Sequence, residues 1–419
     1  MTFWLILILL VTIADWLVYR NLFSPIIMFN SLFMLIVFLA IQRRYGIGAF
    51  DNKAVFLIEI GVLCFDIGVS LARLILRNII RVKKYPTNLV FRWKFIIPLM
   101  MIVTLGNVIT FIYSMKFLMG GGNYIQLRNS LLGYGDSTLG TSTINPIIGV
   151  MSSYISGPGL YALLPIAILL FVKREHIFFS GLIFFDLILN ILATGSRIIL
   201  VYTVIQFFVV MFYEKIYISK RIKRTGFVII IVSFVALVVL SNLRSSNSLF
   251  RSFYAYFSAP VVLLSYWMNY VDNFNIQSYG LSFFYPFTWL INAGGNLIGL
   301  SSEIVKNVVE WQSLPQDIWI KVFPMQSMNS FSTLFYFFYE DFRTIGVYIG
   351  SFIFGSVSGI VFYKAFLGKS TRYLSLYLLG VKALVGSFMI WQLGSTSFFL
   401  SLILLLICIK KETLEDIYE

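Results

Sequence analysis

The sequence predicts an all-α polytopic integral membrane protein. Three observations predict it. Hydrophobic residues make up 59% of the 419-residue chain and charged residues only 12%, about half the charged share of a soluble domain. The apolar residues fall in long continuous runs and do not alternate. Between the runs lie short segments rich in lysine and arginine. A bilayer core takes roughly 20 apolar residues per helix. It leaves no water to satisfy an open backbone, so continuous apolar runs imply helices.

Taken in order, apolar runs at 3–18, 22–41, 54–72, 95–116, 147–171, 177–193, 197–213, 225–242, 344–363, 374–392 and 395–409 predict about eleven transmembrane helices. The first run has no basic segment before it and no A-x-A pattern after it, so it reads as a retained helix. One stretch, 243–343, is far longer than the other connections. It is aromatic, not hydrophilic, and Pro260, Pro286, Gly294 and Gly295 punctuate it. It predicts a long outer-face loop containing amphipathic or re-entrant helices, and long loops in compact proteins are usually functional. The expected organisation is an N-terminal transmembrane bundle over 1–242, a membrane-associated outer loop over 243–343, and C-terminal transmembrane helices with a short cytoplasmic tail over 344–419.

The net charge of +14 lies mostly in short connections. Arg73, Arg77, Arg81, Lys83, Lys84, Arg92 and Lys94 form one basic group. Lys215, Lys220, Arg221, Lys223 and Arg224 form a second, Lys364, Lys369 and Arg372 a third, and Lys410 and Lys411 follow the last run. Basic loops face the cytoplasm in membrane proteins, and this distribution disfavours nucleic acid as the partner. Arg43 and Arg44 fall on the outer side in this scheme. No internal repeat is visible, which disfavours a transporter built from inverted repeats.

Cys64 and Cys408 lie in apolar runs without metal-binding or disulfide spacing. The single histidine, His176, stands beside Lys173, Arg174 and Glu175 and reads as solvated. The acids show no metal-binding spacing, so neither metal nor cofactor is expected. Asp15, Glu59, Asp66 and Asp186 fall inside apolar runs, where an acid is a functional candidate.

Several outer-face arginines are left unexplained by the orientation rule: Arg128, Arg197, Arg244, Arg251 and Arg343. Arg197 follows Thr194-Gly195-Ser196 at the start of an apolar run. A glycine turn, the free N–H groups of a helix start and a guanidinium together suit a phosphate or pyrophosphate. An arginine reaching for the interface is the plainer reading. Arg128 follows Gly120-Gly121-Gly122-Asn123-Tyr124, either a close approach to ligand or a flexible link. Glu340-Asp341-Phe342-Arg343 precedes Gly346 at a run's start. These residues read either as caps or as a general base beside a phosphate-binding arginine.

With these residues in view, the chain resembles the bacterial oligosaccharide repeat-unit polymerases, the Wzy-type O-antigen and capsule polymerases. The resemblance rests on the helix count, the Thr194-Gly195-Ser196-Arg197 turn, and the long outer loop before the last three helices. It also rests on Tyr256-Phe257-Ser258-Ala259-Pro260 and on Thr333 with Asp341-Phe342 and Gly346. Ser330 stands where the family pattern has asparagine, and Arg343 where it has glycine. The resemblance implies a metal-independent glycosyltransferase on the outer face of the bacterial cytoplasmic membrane. It would polymerise undecaprenyl-pyrophosphate-linked oligosaccharides into a surface polysaccharide, with a chain-length regulator and a flippase as partner candidates. Asp341, Glu340 and Arg197 are then the expected catalytic residues. Arg128, Arg197, Arg244, Arg251, Arg343, Tyr124 and Ser196 are expected around pyrophosphate and substrate. An O-antigen ligase would use a histidine in the outer loop, which this chain lacks. A lipid-linked oligosaccharide flippase or transporter would line a path with charge on both faces.

Overall fold

A computed structural model describes residues 2–80, 91–122, 127, 146–196, 198–213, 249–300 and 302–410. The expected apolar run 225–242, the basic group 215–224, Arg81, Lys83, Lys84, Lys411, Tyr124, Arg128, Arg197 and Arg244 lie outside the described residues.

The described chain is almost entirely helical, as continuous apolar runs require. In order it forms α1 (Thr2–Tyr19), α2 (Pro25–Ile41), α3 (Asn52–Ile80), α4 (Trp93–Met119), α5 (Pro146–Val150), a π-helical turn (Met151–Ser156), α6 (Gly157–Lys173), α7 (Ile177–Thr194) and α8 (Ile198–Tyr213). After the undescribed segment come α9 (Leu249–Asn273), α10 (Tyr285–Ile298), α11 (Glu303–Asp317), a hairpin of β1 (Ile320–Phe323) and β2 (Gln326–Met328), α12 (Thr333–Phe366), α13 (Thr371–Gly386) and α14 (Thr396–Cys408). Among the described residues, five stretches, Asn52–Arg77, Trp93–Met119, Ile147–Lys173, Ile177–Thr194 and Thr333–Phe366, are long and apolar enough to cross a membrane. Four shorter apolar helices accompany them.

The helices fall into two compact units that interrupt one another in sequence. The first is Met1–Tyr85 with Phe250–Thr396; the second is Pro86–Leu249 with Ser397–Glu419. This division differs from the linear one expected. Residues 250–343 are not a separate layer but share a core with α1–α3, because their apolar faces pack inward: Val261, Leu263, Leu264 and Trp267 of α9 are fully buried.

In the second unit, α4 packs on α7. Thr104 Oγ1 donates to Asp186 at 2.7 Å, and Asn190 Nδ2 donates to Asn107 at 3.3 Å. The membrane acid Asp186 therefore has a hydroxyl partner. The His176 ring lies 4.3 Å from that of Trp93, the two planes inclined by 47°, at the exposed α6–α7 connection.

In the first unit, α3 and α12 form the central pair. A Cβ at Gly68 would overlap the Phe352 carbonyl, and one at Gly355 would overlap that of Phe65. Only glycine lets two backbones approach this closely, the usual device of helix association in lipid. Phe29 stacks on Phe65 at 4.1 Å and meets both Phe335 and Phe354 edge-on. Asp15 accepts from Ser24, while Asn30 Nδ2 donates to Asp66 and to Thr12, each at 3.0 Å.

α12 begins eleven residues before the expected run at 344 and is broken within. Phe342 (φ −141°, ψ 32°) and Arg343 (φ 55°, ψ −140°) leave helical geometry. The chain turns back there. Phe335 and Phe354 both touch Phe29, and the Phe338 carbonyl lies against Gly346 with its ring against Gly350. α12 is thus two arms of a V. The second arm runs parallel to α3, with Gly355 at Phe65 and Gly359 at Val69 and Ala72. The first arm runs the other way, from Phe335 beside Gly61 to Tyr339 beside Lys53, roughly 12 Å along α3.

Candidate functional site

The apex of the V gathers Glu340, Asp341 and Arg343, and their side chains have two kinds of work. Asp341 lies buried at the apex. Its Oδ1 accepts from Ser278 Oγ at 2.5 Å, Gly280 N at 2.8 Å and Ser282 N at 3.1 Å; its Oδ2 accepts from Phe283 N at 2.8 Å. The sequence marks Asp341 as a candidate base, yet its oxygens are taken by four donors of its own chain. Its visible role is to fix the turn at 278–283. Glu340 is also fully buried. Its Oε2 accepts from Ser282 Oγ at 3.4 Å and its backbone carbonyl from Ser278 N at 3.1 Å. The Tyr336 hydroxyl is near enough to act on the Glu340 carboxyl but points at the Trp311 carbonyl, and Oε1 meets no donor at hydrogen-bond geometry among the described residues.

Arg343 reaches from the apex to the end of α9. Nη1 donates to the Ile276 carbonyl at 2.5 Å and Nη2 to the Val271 carbonyl at 3.2 Å. Val271 lies in the last turn of α9 and Ile276 in the connection after it, so the guanidinium ties the helix end to the segment that follows, and a cation near a helix C-terminus matches the dipole. Nε faces Asp272 Oδ1 at 3.3 Å. Lys53, at the start of α3, pairs with the same carboxylate at 2.9 Å and donates to the Tyr339 hydroxyl at 2.6 Å. Lys53 and Asp272 are more than a third exposed. Nothing in the sequence marked this quartet, because its members come from residues 53, 272, 339 and 343.

Asn275, Gln277 and Tyr279 line an open cleft of about 350 Å³, and α11 completes it with Glu303, Ile304, Asn307 and Trp311. Asp341 and Arg343 thus hold the segment that supplies Asn275, Gln277 and Tyr279 to the cleft. The lining is rich in amides, with two aromatic rings and one carboxylate. Amides offer both donor and acceptor, and flat rings supply apolar area with a polar tip. This is chemistry for a polyhydroxylated ligand.

Of the other expected residues, Ser196 lies in the turn between α7 and α8. Gly195 takes the left-handed conformation (φ 62°) and its N–H closes α7 onto the Ile191 carbonyl at 2.7 Å, while Ser196 N donates to Thr194 Oγ1. The tight turn expected from the glycine is therefore present; Arg197, which follows it, is outside the described residues. Arg251 sits in the first turn of α9, half-buried. Within the first unit, Asp341, Glu340 and Arg343 come together at the apex, while Arg251 lies at the other end of α9; Ser196 belongs to the second unit. Among the described residues, no three His, Cys, Asp or Glu side chains converge.

The long apolar helices and their small-residue crossing define an all-α, membrane-associated protein. No protein-family model, curated protein or solved structure matches the chain.

Proposed function

We propose that the protein is a polysaccharide polymerase of the outer face of the bacterial cytoplasmic membrane. It joins undecaprenyl-pyrophosphate-linked oligosaccharide units into an O-antigen or capsule. The observation that carries this reading is the amide- and aromatic-lined cleft in a chain otherwise built of apolar helices. In the reaction, an acceptor sugar hydroxyl attacks the anomeric carbon of the donor. The bond from that carbon to the pyrophosphate oxygen breaks, and the hydroxyl proton passes to a base. Asp341 and Glu340 are buried and held, so Glu303, which lines the cleft, is the better placed carboxylate for that proton. Trp311 and Tyr279 stack on sugar rings, and Asn275, Gln277 and Asn307 bond their hydroxyls. Arg128, Arg197 and Arg244 remain candidates for the pyrophosphate charge, which arginine meets with paired donors.

The test is the length of surface glycan in a deletion strain. Single repeat units on the surface support a polymerase, and no exported glycan supports a flippase. Polymer of normal length would end the proposal. Complementation with Arg197→Ala or Glu303→Gln should leave single units, and Trp311→Ala should shorten the chains.

A further inference from the structure

We propose that Lys53 and Arg343 form a diphosphate-binding pair whose resting partner is Asp272. The proposal draws on the polymerase reading for the source of the diphosphate, but its geometry stands apart from that reading.

Two cations here share one carboxylate. Lys53 Nζ lies 2.9 Å from Asp272 Oδ2 and Arg343 Nε lies 3.3 Å from Oδ1, so the cluster keeps one net positive charge. Both cations also face one ring: Lys53 Nζ is 5.0 Å from the Tyr339 centroid and Arg343 Cζ is 5.7 Å from it. The Tyr339 hydroxyl, 2.9 Å from each Asp272 oxygen, receives a hydrogen bond from Lys53 at 2.6 Å. The two cations are therefore held in fixed relation, with Tyr339 as the spacer between α3 and the first arm of α12.

The donor inventory leaves room for a ligand. Lys53 directs two of its three N–H groups at Asp272 and Tyr339. Arg343 directs Nε, one Nη1 proton and one Nη2 proton at Asp272, Ile276 and Val271, which leaves two of its five. Three donors are unspent among the described residues. The side chains of Lys53, Asp272 and Arg343 are 44%, 36% and 28% exposed, so an anion reaches them from solvent. Arg343 is held in a backbone conformation (φ 55°, ψ −140°) that a non-glycine residue rarely adopts. Such strain persists where the surroundings impose it and often marks a working site.

A half-exposed carboxylate between two cations is a weak competitor, since exposed pairs contribute little. A diphosphate carries more charge and more acceptor oxygens, and displaces Asp272. The site also has the right neighbour. Asp272 and Val271 end α9, and Asn275, three residues on, lines the sugar cleft. A sugar in the cleft and its diphosphate at Lys53 and Arg343 would be read by one short segment.

The experiment measures binding to the purified full-length protein by isothermal titration, with inorganic pyrophosphate and with farnesyl diphosphate as probes. Both should bind. A tighter farnesyl diphosphate identifies the source as a lipid headgroup; equal affinities identify a free diphosphate. Lys53→Gln should weaken both about tenfold, and Lys53→Arg should restore most of that loss. Asp272→Asn should tighten both severalfold, because the competitor is gone. A purely structural staple predicts the opposite, with Asp272→Asn weakening whatever Lys53→Gln weakens. Absence of binding, no effect of Lys53→Gln, or weakening by Asp272→Asn each overturns the inference. The polymerase reading fails separately, on normal glycan length in the deletion strain.

Discussion

At the scale of single residues, the apex separates what a side chain is from what it does. Asp341 reads as a base by type and place, but four donors converge on it. Asp341→Ala would strand those donors in a buried turn. Removing a buried acceptor costs about 1–3 kcal/mol per unsatisfied group, so a loss of at least about 3 kcal/mol is expected. Asp341→Asn keeps an acceptor oxygen and should cost less. A thermal melt in detergent that ranks wild type above Asn above Ala bears this out; equal melts would return Asp341 to the list of free carboxylates. Any fall in polymer length should then track the melting temperature across the series. Glu303→Gln tests the contrary case, since an exposed side chain should leave the melt unchanged while elongation falls.

At the scale of elements, α12 is the decisive piece. Its second arm fits α3 only because Gly68 and Gly355 carry no side chain. Gly355→Leu would force the backbones apart. Overpacking costs about 1–3 kcal/mol in a core, and at a backbone contact the upper end is expected. Loss of the monodisperse detergent-solubilised species on size exclusion is the measurement. The fold-back itself depends on Gly346, where any Cβ would strike the Phe338 carbonyl. Gly346→Ala should loosen the apex without removing a helix. Increased proteolysis near 342–343, with helix content by circular dichroism unchanged, is the expected signature. Of the features at this scale, most helices were legible, because continuous apolarity has one solution in lipid; the exceptions are α3, which runs eight residues past its expected end, α12, which starts eleven residues early, and α13, which stops six residues short. The V was not legible. The aromatics from Phe335 to Phe338 and the charges from Glu340 to Arg343 read together as a loop leading to a helix. Only the contacts with Phe29, Gly61 and Gly350 show that the segment descends as an arm.

At the scale of the whole molecule, orientation is the testable property. α3 and the second arm of α12 run parallel. Their basic ends, Arg77 and Lys364, therefore share a face, the relation that the positive-inside rule demands. The α2–α3 connection joins the opposite end. Arg44 N donates to the Tyr254 hydroxyl at 2.8 Å and Gly48 N to the Val322 carbonyl at 2.7 Å. This places Arg43 and Arg44 with the segment expected outside. In a background with Cys64 and Cys408 replaced by serine, Lys306→Cys should react with a membrane-impermeant maleimide on intact cells. Lys369→Cys should react only after permeabilisation. The reverse pattern would invert the protein and remove the cleft from the outer face.

By itself, the sequence determined that this chain is helical and bound to membrane, where most helices begin and end, and where its short basic loops lie. Those properties follow from local composition, since solvent preference and backbone satisfaction act on each run in turn. Tertiary structure alone decided which helices share a core, that α12 turns back at Arg343, and that Lys53, Asp272, Tyr339 and Arg343 meet. It likewise decided that Asp341 anchors a turn while Asn275, Gln277, Asn307 and Trp311 face a cleft. Such pairings join residues up to about three hundred positions apart. They depend on close backbone packing at glycine and on where each donor finds its acceptor, which no local pattern of residues records.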